Sequence, residues 1–164
     1  MHVSGFMVPA EKVFTCTSTD TIDHVLDIVV NRGVSAVVVL DRYQEAVGLV
    51  TSSNLTAAYK KGIPVTHAVS EIMVKQPHLD TILDTDSRDT AAKMLEACGR
   101  HHAVVVNAQG HFVGLVSSWD VVAEVAKDAR AWPWMRTDDG KVHPPISKTS
   151  PTAPPKPAAT NQVH

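Results

Sequence analysis

Gly33-Val34-Ser35-Ala36-Val37-Val38-Val39-Leu40-Asp41, resumed after a polar turn by Ala46-Val47-Gly48-Leu49-Val50-Thr51-Ser52-Ser53-Asn54, decides how this chain folds. A run of valines and a second apolar run ending in Gly-Leu-Val are followed by a hydroxyl residue and, three positions later, an amide. The order returns at Arg100-His101-His102-Ala103-Val104-Val105-Val106-Asn107 and Phe112-Val113-Gly114-Leu115-Val116-Ser117-Ser118-Trp119-Asp120. A constant offset of 66 residues carries Gly48 onto Gly114, Met7 onto Met73, Asp20 onto Asp86, Asp23 onto Asp89 and Gly33 onto Gly99 without a gap. Residues 7–59 and 73–125 agree at 15 of 53 positions, where roughly three would agree by chance from ordinary composition. One supersecondary unit is written twice.

Each copy reads as strand, helix, strand, strand, helix. Phe14 to Ser18 is β-branched and aromatic, a brief strand. Asp20 is the expected N-cap of the helix that follows, and Asp23 adds a carboxylate to its first turn. Ile22, Val25, Leu26, Val29 and Val30 recur at helical spacing, and Gly33 ends the helix where a left-handed residue fits. Ala36 to Leu40 is apolar without interruption, the pattern of a strand covered on both faces. Ala46 to Val50 returns antiparallel, and Leu55, Ala58 and Tyr59 restore helical spacing until Lys60-Lys61-Gly62 stops it. In the second copy Thr81 to Leu83, a helix opened by Asp86 and Asp89, the strands Ala103 to Val106 and Phe112 to Val116, and a helix lined by Val121, Val122 and Val125 play the same parts. Met7-Val8-Pro9 is an extended lead-in lying against the core. Neither copy can cover its own sheet, so the halves are expected to pack on each other about a pseudo-twofold axis.

The bulk numbers exclude several classes. The 164 residues carry a net charge of −2, so nothing points to a nucleic-acid surface. No apolar stretch approaches the roughly 18 residues of a membrane span, and the first copy starts too near Met1 for a signal peptide. Cys16 and Cys98 fall at non-equivalent positions, which suits buried reduced thiols in a cytoplasmic protein. Beyond Ala126 the composition shifts. Trp132 and Trp134 are too close to share one helix face; they pack on the protein's own surface or mark a partner site. Six of the last 21 residues are proline, and this Pro-rich tail is expected to be disordered. The expected organisation is repeat 1 over 1–62, repeat 2 over 63–128, a Trp-containing extension over 129–140 and the tail over 141–164. No nucleophile with a positioned base, P-loop or metal-spaced cluster is found, so no enzyme is expected. His101, His102 and His111 lack a carboxylate or thiolate at ligand spacing, and no metal is expected.

The repeat order, the Gly-Val-Ser-Ala-Val-Val-Val run and the Gly-Leu-Val-Ser-Ser-Trp-Asp run together resemble tandem CBS (cystathionine-β-synthase) domains, paired as a Bateman module. The resemblance spans about residues 3–127. It implies an α+β fold of two β-α-β-β-α repeats and a cleft that takes AMP, ADP, ATP or, in some members, S-adenosylmethionine. It implies a role for Ser117 and Asp120, and for Thr51 and Asn54, at ribose and phosphate. It places His101 and His102, beside Arg100, at phosphate, and Val34, Ser35 and Ala36 along the base and sugar.

The residues support these assignments. A carboxylate accepts from both hydroxyls of a cis-diol, whereas Asn offers one acceptor. A hydroxyl at a helix N-terminus stands where backbone N–H groups and the dipole favour an anion. The expectation is one dominant site, combining Ser117, Asp120, Arg100, His101 and His102 with the wall Val34-Ser35-Ala36, and a poorer counterpart at Thr51 and Asn54. Asp120 is also a good N-cap, and Trp119 either stacks on a ligand or fills the cleft. The functional expectation is a free-standing, homodimeric adenine-nucleotide sensor acting on a separate partner protein; the alternative is a ligand-independent interaction scaffold.

Overall fold

The computed structural model describes residues 1–127 of the chain. Trp132, Trp134, the extension and the Pro-rich tail lie outside them. Among the described residues, six strands and four α-helices follow the expected order twice, preceded by a two-residue strand in the lead-in. The elements are β1 (Val8–Pro9), β2 (Thr15–Thr17), α1 (Ile22–Arg32), β3 (Ala36–Leu40), β4 (Ala46–Thr51), α2 (Ser52–Lys60), β5 (Thr81–Leu83), α3 (Arg88–Cys98), β6 (His102–Val106), β7 (Phe112–Ser117) and α4 (Ser118–Lys127).

In the first repeat β2 runs parallel to β3, and β3 pairs antiparallel with β4. In the second, β5 and β6 are parallel and β6 pairs antiparallel with β7. The register shifts at equivalent places, between Val39 and Leu40 and between Val105 and Val106. Side chains alternate across a strand, which explains the valine runs. Val37 and Val39 join Ile22, Val25 and Leu55 beneath the helices of repeat 1. Ala36 and Val38 point the other way, meeting Leu49, Leu79, Val104 and Leu115 in a core shared by the two repeats. Both faces of β3 and β6 are therefore buried, and the repeats pack sheet to sheet about the pseudo-twofold axis.

The lead-ins are exchanged. β1 adds to the edge of β7 in the other repeat, with Val8 opposite Leu115, and Val74 bridges Leu49 of β4 in the mirrored arrangement. Val3 N–H bonds Asp86 O at 2.8 Å, and Val69 N–H bonds Asp20 O at 2.8 Å. Val3, fully buried, sits in the core of repeat 2, and Val69 in that of repeat 1. Truncating either removes about 2 kcal/mol of buried contact and ties loss in one repeat to the other. This crossing explains two of the repeat identities. A Cβ on Gly114 would lie 2.6 Å from Val8 O and 2.7 Å from Met7 Sδ, and one on Gly48 would lie 2.5 Å from Met73 Sδ. At the opposite end of the hairpins, Glu45 receives His111 Nδ1 on one oxygen and the Phe112 N–H, at 3.1 Å, on the other.

Several expectations change. Thr21 and Ser87, not Asp20 and Asp86, cap α1 and α3, accepting from His24 N and Thr90 N. Asp20 and Asp86 sit one residue earlier and bind backward, to Thr17 N and Leu83 N, closing the turns that leave β2 and β5. Val30, Tyr59 and Val122 are exposed instead of facing the core. Both cysteines are free, but only Cys16 is buried. Burial pushes its thiol up to about 12; the exposed Cys98 is also raised, by desolvation first and then by Asp80.

Candidate functional site

A hydroxyl three residues before an amide or acid builds the same hydrogen-bonded box at the start of α2 and α4. Thr51 Oγ1 accepts from Asn54 N, while Asn54 Oδ1 accepts from Thr51 N at 2.8 Å and from Thr51 Oγ1 at 2.9 Å. Ser117 Oγ accepts from Asp120 N at 3.2 Å, and Asp120 Oδ2 accepts from Ser117 N and Ser117 Oγ, both at 2.7 Å. Both pairs are thus genuine caps. The boxes differ in what they leave to a ligand: Asn54 keeps its Nδ2 donors outside the box, and Asp120 keeps the acceptor Oδ1.

A cavity of about 510 Å³ opens at the first of these boxes, within the roughly 300–1,000 Å³ of small-molecule pockets. Ser35, Thr51, Ser52, Ser53 and Asn54 of repeat 1 face Leu79, Asp80, Arg100, His101 and His102 of repeat 2 across it. Val74, on the exchanged lead-in, and Leu49 form its apolar wall. The N-terminus of α2 offers backbone N–H groups there, suited to an anion. Arg100 is the cavity's permanent cation. Its Nη1 donates to Asp80 Oδ2 at 3.0 Å and to the His78 carbonyl.

His102 Nε2 lies 3.0 Å from Ser35 Oγ, joining the repeats near the axis. Its pKa is lowered, first by burial and then by His101, with Asp120 opposing weakly. The imidazole is therefore neutral at neutral pH. His101 sits beside α4, its carbonyl accepting from Ser118 N at 2.9 Å.

The cavity sets Arg100, His101 and His102 opposite Thr51 and Asn54. His102 also pairs with Ser117 across β6 and β7, and His101 lies against Ser118 at the start of α4, so both histidines stay beside the Ser117–Asp120 box as well. The sheet-to-sheet packing brings residues 99–102 to the axis, so they reach the helix start of the other repeat. Of the wall Val34-Ser35-Ala36, only Ser35 lines this cavity. Val34 packs on the core of repeat 1, and Ala36 is buried between the sheets. Ser117 and Asp120 are half-buried at the counterpart position, where the 66-residue offset replaces Asp80, Arg100 and Ser53 by Phe14, Val34 and Trp119. Trp119 is 77% exposed, so it does not fill the cleft. Asp80 was missed; its sequence signal was a lone carboxylate preceding a strand where the first copy has Phe14. Among the described residues no group of three or more His, Cys, Asp or Glu could hold a metal ion, and His111 is engaged by Glu45.

The sequence model described as the CBS domain matches residues 3–61 and 69–127. Among solved structures, that of CBSX2 from Arabidopsis thaliana in complex with AMP superposes with a TM-score of 0.69 at 22% identity, covering 77% of this chain and 96% of that one. A CBS domain protein from Pyrobaculum aerophilum complexed with AMP gives 0.67 at 23%, over 78% and 100%. A CBS domain pair in complex with 5′-methylthioadenosine and S-adenosyl-L-methionine gives 0.68 at 19%, over 77% and 96%. These likenesses show the fold. No curated protein sequence matches the chain.

Proposed function

The chain belongs to the CBS domain family, and from that premise we propose that it is a regulatory module, not an enzyme, that binds an adenine nucleotide between its repeats and signals to a separate partner protein. The observation that carries this reading is the cavity itself, where a helix N-terminus and three basic side chains converge beside the Thr51–Asn54 box. Arg100 and the two histidines meet phosphate, and Thr51 and Asn54 hold the ribose. The AMP complexes of two structural neighbours favour the same ligand class. At the counterpart position, Ser117 and Asp120 offer a ribose acceptor with Val34 and Ser35 alongside.

Exposed apolar residues on the helices, Val30 at 74% and Tyr59 at 86% together with Val122, favour a homodimer formed through those faces. Two free cysteines suit the cytoplasm. Ligand signals by binding one arrangement of the halves, or of the dimer, better than another.

A thermal-shift panel of AMP, ADP, ATP, adenosine and S-adenosylmethionine tests the reading. Ligand at 100 times its Kd stabilises by about 2.7 kcal/mol, a shift of several degrees. The shift is expected to fall in Asn54→Ala and Arg100→Ala. A flat response to all five compounds refutes the proposal.

A further inference from the structure

We propose that Asp80 sets the charge selectivity of the cavity, holding Arg100 by one nitrogen and limiting affinity for ligands that carry several phosphates. The inference rests on the reading of this cavity as an adenine-nucleotide site.

Asp80 is the sole acidic side chain among the described residues lining the cavity. Its Oδ2 lies 3.0 Å from Arg100 Nη1, and the carboxylate, 20% exposed, is deeper than the guanidinium at 40%. The His78 carbonyl accepts from the same Nη1, so Arg100 is anchored by one nitrogen to the segment entering β5. Nε and Nη2 remain to meet a ligand, in a fork suited to phosphate. The fixed charges of Arg100 and Asp80 cancel. His102, its pKa lowered by burial, is neutral at neutral pH and adds nothing until a phosphate or acid charges it. An incoming phosphate therefore meets directed donors whose fixed cation is offset by Asp80, and each further phosphate adds repulsion from that carboxylate. The offset of 66 puts Phe14 and Val34 at the positions of Asp80 and Arg100. The pair is therefore a feature of one half of the module, not of the repeat.

Calorimetric titration of the full chain with adenosine, AMP and ATP tests this in wild type, Asp80→Asn and Asp80→Glu. Removing the charge is expected to tighten AMP about tenfold and ATP more, with adenosine unchanged and the gain smaller at high salt. Asp80→Glu is expected to keep the wild-type ratios. Equal changes for AMP and adenosine, or weaker AMP binding in Asp80→Asn, overturn the proposal while leaving the cavity an adenine site. Wild-type protein that binds none of the three overturns both. Should Asp80→Asn not fold, Arg100→Ala carries the test: with Asp80 left facing the ligand, ATP must lose more affinity than AMP, and AMP more than adenosine. Equal losses refute it.

Discussion

The half-site at Thr51 and Asn54 and its counterpart at Ser117 and Asp120 are built on the same backbone. Each stands where an antiparallel hairpin feeds a helix, and each closes the same capping box. Their surroundings have diverged. The first faces Arg100, His101, His102 and Asp80; the second corresponds to Val34, Ser35, Ala36 and Phe14. Duplication preserved what folding requires, the cap and the strand pairing, while the cleft-facing positions became charged or basic in one half and uncharged in the other. A capping residue is thus poor evidence of ligand contact by itself, and the wall opposite it is better evidence.

The same contrast runs through the exchanged lead-ins, where it can be broken most severely. Gly114→Ala drives a methyl into the Val8 carbonyl, a backbone atom that cannot swing aside, whereas Gly48→Ala meets chiefly the flexible Met73 side chain, with Val74 O at 3.1 Å. Chemical denaturation is expected to show a loss of about 3 kcal/mol for Gly114→Ala and about half that for Gly48→Ala. Equal losses would mean that the two crossings are not packed as described.

Acid distinguishes the halves next, because His102 has Ala36 as its counterpart. Its folded-state pKa lies below the ordinary value, so the folded protein binds fewer protons than the unfolded chain. The stability this contributes is fully present above the unfolded value of about 6.5 and is lost as pH falls from there through the lowered folded value. His102→Gln should flatten stability between pH 7 and pH 5. A bound phosphate opposes the lowering, so AMP should bind more tightly at pH 6 than at pH 8, with adenosine indifferent. Parallel pH profiles for the two ligands would remove His102 from the phosphate contact.

The smallest expected difference lies in the hairpin turns. Gln44 takes a left-handed φ of 62°, and the equivalent residue is Gly110 at 82°. Gln44→Gly should stabilise by about 0.5 kcal/mol, the relief at the turn being partly offset by greater freedom of the unfolded chain. Destabilisation would show that the Gln44 side chain makes a contact of its own.

Much of the fold was legible because two signals agreed, a gapless register and valine runs buried on both faces. The strands, the helices and the left-handed Gly33 and Gly99 followed. The caps were displaced by one residue because Asp20-Thr21 and Asp86-Ser87 offer two good capping side chains in succession, and sequence alone does not say which one turns toward the preceding strand. The exchange of Val3 and Val69 was hidden for a related reason: a short lead-in shows what it buries, not against which half. The site suffered most from that ambiguity. Arg100, His101 and His102 were recognised as basic residues beside a cleft, but that they also face Thr51 and Asn54 of the other repeat depends on the packing of one sheet on the other. Asp80 stood in the sequence only as a carboxylate before a strand, and its proximity to Arg100 is what gives it a role.

A crystal structure with AMP tests most directly the claim that the charged half is the phosphate-binding one. The nucleotide should lie in the cavity with its ribose at Thr51 and Asn54 and its phosphate against Arg100 and His102. AMP bound beside Ser117 and Asp120, with the Arg100 cavity empty, would contradict it.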